Sequence, residues 1–186
     1  MSRILNSIQK PHNMKTSLII STVVYFLTLI QSQDLPNNSI TVKIPENAKK
    51  LVKSEASTYI KKNFKGENYI NAKKNIYKIK NVVLAYDDYI LPKGETKTLI
   101  QIKGEMEGMM GELNLKNDIV KSEITQINNR QYFVWQTLSN DEYLYTVISD
   151  PKYKKAIIAK ILFKKSDKKT ADRILSDFMQ NIAFKK

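Results

Sequence analysis

The strongest constraint on this chain is how little sequence separates the strand-like segments of its second half. Four runs rich in β-branched and aromatic residues, Asp118–Ile127, Gln131–Ser139, Glu142–Ser149 and Lys155–Phe163, are joined through Asn128-Asn129-Arg130, Asn140-Asp141 and Asp150-Pro151-Lys152. Parallel neighbours need a crossover of about a dozen residues, so connections this short predict an antiparallel meander. Two of these strands are apolar on both faces. Tyr132, Val134 and Leu138 alternate with Phe133 and Trp135, and Ile158 and Leu162 alternate with Ile157, Ile161 and Phe163. A strand that is apolar on both faces belongs to a sheet covered on both sides.

The covering elements lie on either side of the meander. Ser39–Ile44 alternates Ile40, Val42 and Ile44 and stops at Pro45, which predicts a short first strand. Ala48–Phe64 places Leu51, Val52, Ala56, Tyr59, Ile60 and Phe64 at mostly helical spacing, with lysines on the remaining surface, and Gly66–Asn75 reads as polar loop. Ile76–Leu91 and Lys97–Lys103 are expected to pair as a hairpin around Pro92-Lys93-Gly94-Glu95. Ser166–Phe184 aligns Ala171, Ile174, Leu175, Phe178, Met179 and Ile182 on one stripe, with Ser166 or Asp167 as N-cap. The sum is an α+β domain, an antiparallel β-sheet flanked by helices on both faces, over residues 33–186.

This layout resembles the PsbP-like family, whose members include a subunit of the photosynthetic oxygen-evolving complex and a Ran-binding nuclear import factor. The resemblance is carried by SITVKIP at 39–45, ITQINNRQYFVWQTLSNDEYLYTVIS at 124–149 and ADRILSDFMQNIAFK at 171–185, and it spans roughly residues 39–185. It implies an α/β/α sandwich used as a docking or assembly module. No binding residue of that family carries over to a matching position.

Residues 1–32 are expected to be a signal peptide. Lys15 precedes an uncharged apolar run of 13 residues, Leu18–Ile30, followed by Gln31, Ser32 and Gln33. As a helix that run reaches roughly 20 Å, short of a bilayer core of about 30 Å. The expected location is therefore periplasmic or extracellular, with membrane contact at most peripheral. Removing residues 1–32 takes away Arg3, Lys10, Lys15 and the single His12, leaving 28 basic and 18 acidic residues. With no Cys anywhere, such a chain cannot build a Ser-His-Asp triad, a Cys-His dyad, a zincin site or a disulfide framework.

Three groups of residues remain as candidates. Three of the five glycines and three of the six methionines fall within residues 104–111, which is expected to be either a mobile binding loop, with Met106, Met109, Met110 and Gly108 as contacts, or a short helix packing its methionines on the sheet. Its Met spacing could also offer thioethers to Cu(I), but no metal site or cofactor is assigned. Lys164, Lys165, Lys168 and Lys169 form a basic surface suited to anionic lipid or polysaccharide, and export argues against nucleic acid. Ser149-x-x-Lys152 and Ser166-x-x-Lys169 have a Ser-Lys spacing without the companion Lys-Thr-Gly, while Asp87 and Asp88 fall short of a Ca²⁺ oxygen set. The reading is an exported, monomeric, non-catalytic module that docks a protein or cell-envelope component. The rivals are an anionic-envelope binder acting through lysines and a hydrolase built without His or Cys.

Overall fold

The computed structural model describes residues 40–65, 70, 73–90, 97–151 and 155–184. In chain order they form β1 (Ile40–Val42), β2 (Lys49–Lys50), α1 (Lys53–Asn63), β3 (Asn75–Ile79), β4 (Val82–Ile90), α2 (Leu99–Glu112), β5 (Ile119–Ile127), β6 (Arg130–Ser139), β7 (Glu142–Ser149), β8 (Lys155–Lys164), α3 (Lys168–Gln180) and β9 (Ile182–Phe184). The apolar segment 18–30, the cleavage region and the turn 92–95 lie outside the described residues.

Strands β5 to β8 form the expected meander, within a sheet of order β2-β3-β4-β8-β7-β6-β5 whose neighbours are all antiparallel. The turns explain why it forms. Asn128, Asn129, Asn140 and Asp141 all have positive φ, the geometry that matches the twist of two-residue hairpins and that Asn and Asp tolerate. Helix α3 covers one face, where Ala171, Ile174, Leu175, Phe178 and Met179 meet Leu84, Tyr86, Val134, Val147, Ala159 and Phe163. The other face carries two separate clusters. Helix α2 packs Leu99, Met106 and Met110 on Phe133, Trp135, Ile148 and Ile158, and α1 packs Ala56 and Ile60 on Ile76, Val83 and Ala85. The domain is an α/β/α sandwich.

Four expectations are corrected. Ala48–Phe64 is not helical throughout: Lys49–Lys50 pair with β3 as β2, and α1 begins at Lys53. Residues 97–103 do not form the second strand of a hairpin; they open helix α2. Thr98 Oγ1 accepts from the Gln101 N–H at 3.2 Å and the Gln101 side chain accepts from the Thr98 N–H at 2.8 Å, a reciprocal cap that outweighs the strand preference of Leu99-Ile100-Gln101-Ile102. The hairpin instead lies inside Ile76–Leu91, between β3 and β4, with Lys80 at φ 54°. The last helix ends at Gln180 rather than Phe184. Residues Ile182–Phe184 leave it to pair antiparallel with β1 in a two-stranded sheet, and Ile182 reaches the same core from a strand.

Candidate functional site

The Gly/Met segment is a helix, the packed alternative of the two, and not a mobile loop. Met106 and Met110 are buried in the sheet-facing core, Met109 is half-buried, and Gly108 lies on the outer surface. A Cβ added at Gly104 or Gly108 would meet nothing, so no packing inside the domain requires glycine there. The four lysines of the basic surface gather where β8 passes into α3. All four are exposed, and Lys168 is paired with Asp172 at 2.7 Å.

One serine does sit beside a lysine. Lys103 Nζ donates to Ser122 Oγ at 2.9 Å, Ser122 Oγ donates to Glu107 Oε1 at 2.7 Å, and Lys103 pairs with the same carboxylate. The chemistry of this cluster is that of a clamp. The hydrogen bond from Lys103, then that from Ser122, holds the Glu107 carboxyl below the usual range, which makes it a poorer base. An ammonium held against a carboxylate has no lone pair with which to activate the serine. The cluster ties α2 to β5 and lines neither the cleft beside Asn128, Asn129 and Arg130 nor the cleft beside Gln136. Ser149 Oγ is buried and accepts from the Ile157 N–H at 3.0 Å, and Asp87 is held by Lys73 at 3.2 Å. No three Asp or Glu side chains among the described residues come together as a metal site.

Two of the buried polar side chains bear on the site. Lys160 is 4% exposed in the middle of β8, opposite Ala85 and Thr146, on the face shared by α1 and α2. Burial, reinforced by the nearby charge of Lys73, pushes its ammonium down to about 7. The signal was present: a lysine inside Ala156–Phe163 of a strand covered on both faces must be buried.

The second is Gln136, 2% exposed, whose Nε2 is the one buried side-chain polar atom among the described residues without a hydrogen-bond partner. It shares the α3 side of β6 with Tyr132 and Val134, so its position on the inward stripe was also legible. Gln136 lines a cleft of about 530 Å³ between α3 and the β5–β6 edge of the sheet. Val120, Leu175 and Met179 supply apolar walls, and Lys121, Tyr145, Lys168, Asp172 and Ser176 supply polar ones. Val120 and Lys121 are consecutive, yet both line the cleft, which a regular strand forbids. A bulge between Ile119 and Lys121 allows it and leaves Val120 48% exposed. Asp172 accepts from Tyr145 Oη at 2.7 Å and from Lys168 Nζ at 2.7 Å. Burial raises its carboxyl, but these two bonds outweigh burial and hold it below the usual range, while burial and Asp172 together push the Tyr145 phenol up. Asp172 is thus a satisfied carboxylate, and the unmet hydrogen-bonding capacity of the cleft belongs to Gln136.

No protein-family model matches the chain, and no curated protein does. Among solved structures, the chain is similar to cyanobacterial PsbP (CyanoP) from Synechocystis sp. PCC 6803, with a TM-score of 0.50 at 8% identity, over 83% of this chain and 91% of that one. A single-site mutant of the protein Mog1 aligns with a TM-score of 0.39 at 10% identity, over 83% of this chain and 95% of that one. The layered sheet, its antiparallel order and the likeness to CyanoP together give the chain a PsbP-like α/β/α fold.

Proposed function

We propose that the chain is an exported, non-catalytic binding module that docks a protein or cell-envelope component through the surface α3 leaves open beside β5. The observation that carries this is the Gln136 cleft: a buried amide with an unmet hydrogen bond, in a residue that lines the cleft together with the apolar Val120, Leu175 and Met179. Unmet polar capacity at a buried site costs stability, and a bound partner removes that cost. Export is supported by Lys15 and the apolar run Leu18–Ile30, and no helix among the described residues is long and apolar enough to cross a membrane. The non-catalytic part is supported by the pairing of Lys103, Glu107, Asp87 and Asp172.

A photo-crosslinking residue placed at Val120 in the expressing cell tests the reading. The expected result is a discrete adduct from position 120 and none from Thr58, on the exposed surface of α1. Adducts of equal yield from both positions, or none from either, contradict it.

A second reading has its own observation. Lys168 and Lys169 occupy the first turn of α3, where the helix dipole favours acids, and that turn contains none. Together with Lys164 and Lys165 they suit an anionic lipid or polysaccharide. Sedimentation with anionic vesicles that is abolished at about 1 M salt supports this surface, and retention unaffected by salt argues against it.

A further inference from the structure

We infer that the cleft between α3 and β5 receives an extended acidic peptide segment of a partner, with one main-chain amide of that peptide paired to the side chain of Gln136. The inference rests on the binding reading above and names its occupant. Three observations converge on it.

The first is chemical. A side-chain amide has a donor end and an acceptor end, and among the described residues the Nε2 end of Gln136 is buried without a partner. A peptide group offers an acceptor and a donor at the complementary spacing, so it can satisfy Gln136 whichever way the amide is turned. A hydrocarbon chain in the same place would leave that nitrogen unsatisfied.

The second is shape. The bulge in β5 delivers Val120 to the cleft opposite Leu175 and Met179, which makes an apolar seat next to the polar one. An extended chain alternates its side chains, so a peptide that sets its amide on Gln136 presents a neighbouring side chain to that seat. The volume of about 530 Å³ holds a few residues rather than a folded element.

The third is charge. At the rim Lys121 is paired with Glu123 at 2.7 Å and Lys168 with Asp172 at 2.7 Å, so the rim itself is balanced. The surplus comes from where α3 begins: residues 164–173 hold five basic side chains (Lys164, Lys165, Lys168, Lys169, Arg173) and two acidic ones (Asp167, Asp172). A segment leaving the cleft toward that end meets a positive field, which selects acidic flanks.

The test is selection of a displayed random-peptide library on the purified chain. Dissociation constants of the enriched peptides are then measured on the wild type, Gln136→Leu and Val120→Asp. The expected result is a family of peptides with Asp or Glu flanking an apolar residue, which lose at least about tenfold in affinity on each variant. Far-ultraviolet circular dichroism of each variant establishes that it is folded before its affinity is read. The inference is overturned if no peptide is enriched over the blank support, if the enriched family is basic, or if it binds both variants as tightly as the wild type. An adduct from position 120 combined with a failed selection separates the two claims: the module still binds there, but its ligand is not a peptide, and the mass of the adduct shows whether it is lipid or saccharide.

Discussion

The two faces of the central sheet are built on different terms. Under α3 the core is continuous from Ile79 to Ile182, and the helix meets it with a single apolar stripe. Under α1 and α2 the core is split in two, and buried Lys160 and Thr146 stand on the same face of the sheet. The comparison teaches that one face carries stability while the other tolerates features that stability alone would remove: a buried lysine, and glycines on the open side of a helix. The α3 face has one such feature of its own, Gln136, in the cleft between that helix and β5.

The contrast can be broken most forcefully on the α3 side. Phe178→Ala should cost about 3–5 kcal/mol in denaturant unfolding, since it empties a buried aromatic site shared with Tyr86. Met110→Ala, in the smaller α2 cluster, should cost about 2–5 kcal/mol and fall nearer the low end. A Met110 cost above that of Phe178 would reverse the ranking of the two faces.

Lys160→Met should change how stability depends on pH. The sign follows from linkage. The folded state releases this proton near pH 7, whereas the unfolded chain holds it to 10.5, so over that interval the unfolded state binds more protons and stability rises with pH. Denaturant midpoints of the wild type should therefore climb between about pH 7 and 9, and those of Lys160→Met should stay nearly flat. Parallel curves would mean that the lysine is not titrating inside the fold.

The smallest effects belong to the outer side of α2. Gly104→Ala and Gly108→Ala should each stabilise by up to about 1 kcal/mol, because alanine is the better helix former and the added methyl meets nothing. Urea titration of each variant checks this. If either one destabilises, the helix is not in the open setting described.

The parts of this molecule that were legible in its sequence are those decided locally or by pattern. Asn-Asn and Asn-Asp turns announced the hairpins, and the Ile174, Leu175, Phe178 stripe announced α3. The N-terminus of α2 was misread because β-branched Ile100 and Ile102 favour a strand, while the decisive signal, Thr98 with Gln101 three residues on, is a cap whose worth appears only once the helix exists. Ile182 was misread because it falls where a longer α3 would also bury it; only pairing with β1, more than 130 residues away, makes it a strand. Met106 and Met110 read first as the packed face of a short helix and second as contacts of a loop, and the course of α2 decides between them. Gln136 was visible as a polar residue on an apolar stripe, but its lack of a partner depends on how α3 lies beside the sheet edge and where β5 bulges, which are tertiary facts.

The central claim, that Gln136 is held unsatisfied for a partner, is tested most directly by one variant read two ways. Gln136→Leu removes a buried donor with no partner and puts a side chain of similar size in its place, so folding stability should rise by about 1 kcal/mol or more while the crosslinked adduct from position 120 disappears. A Gln136→Leu protein that is less stable than the wild type and still gives the same adduct would contradict the account.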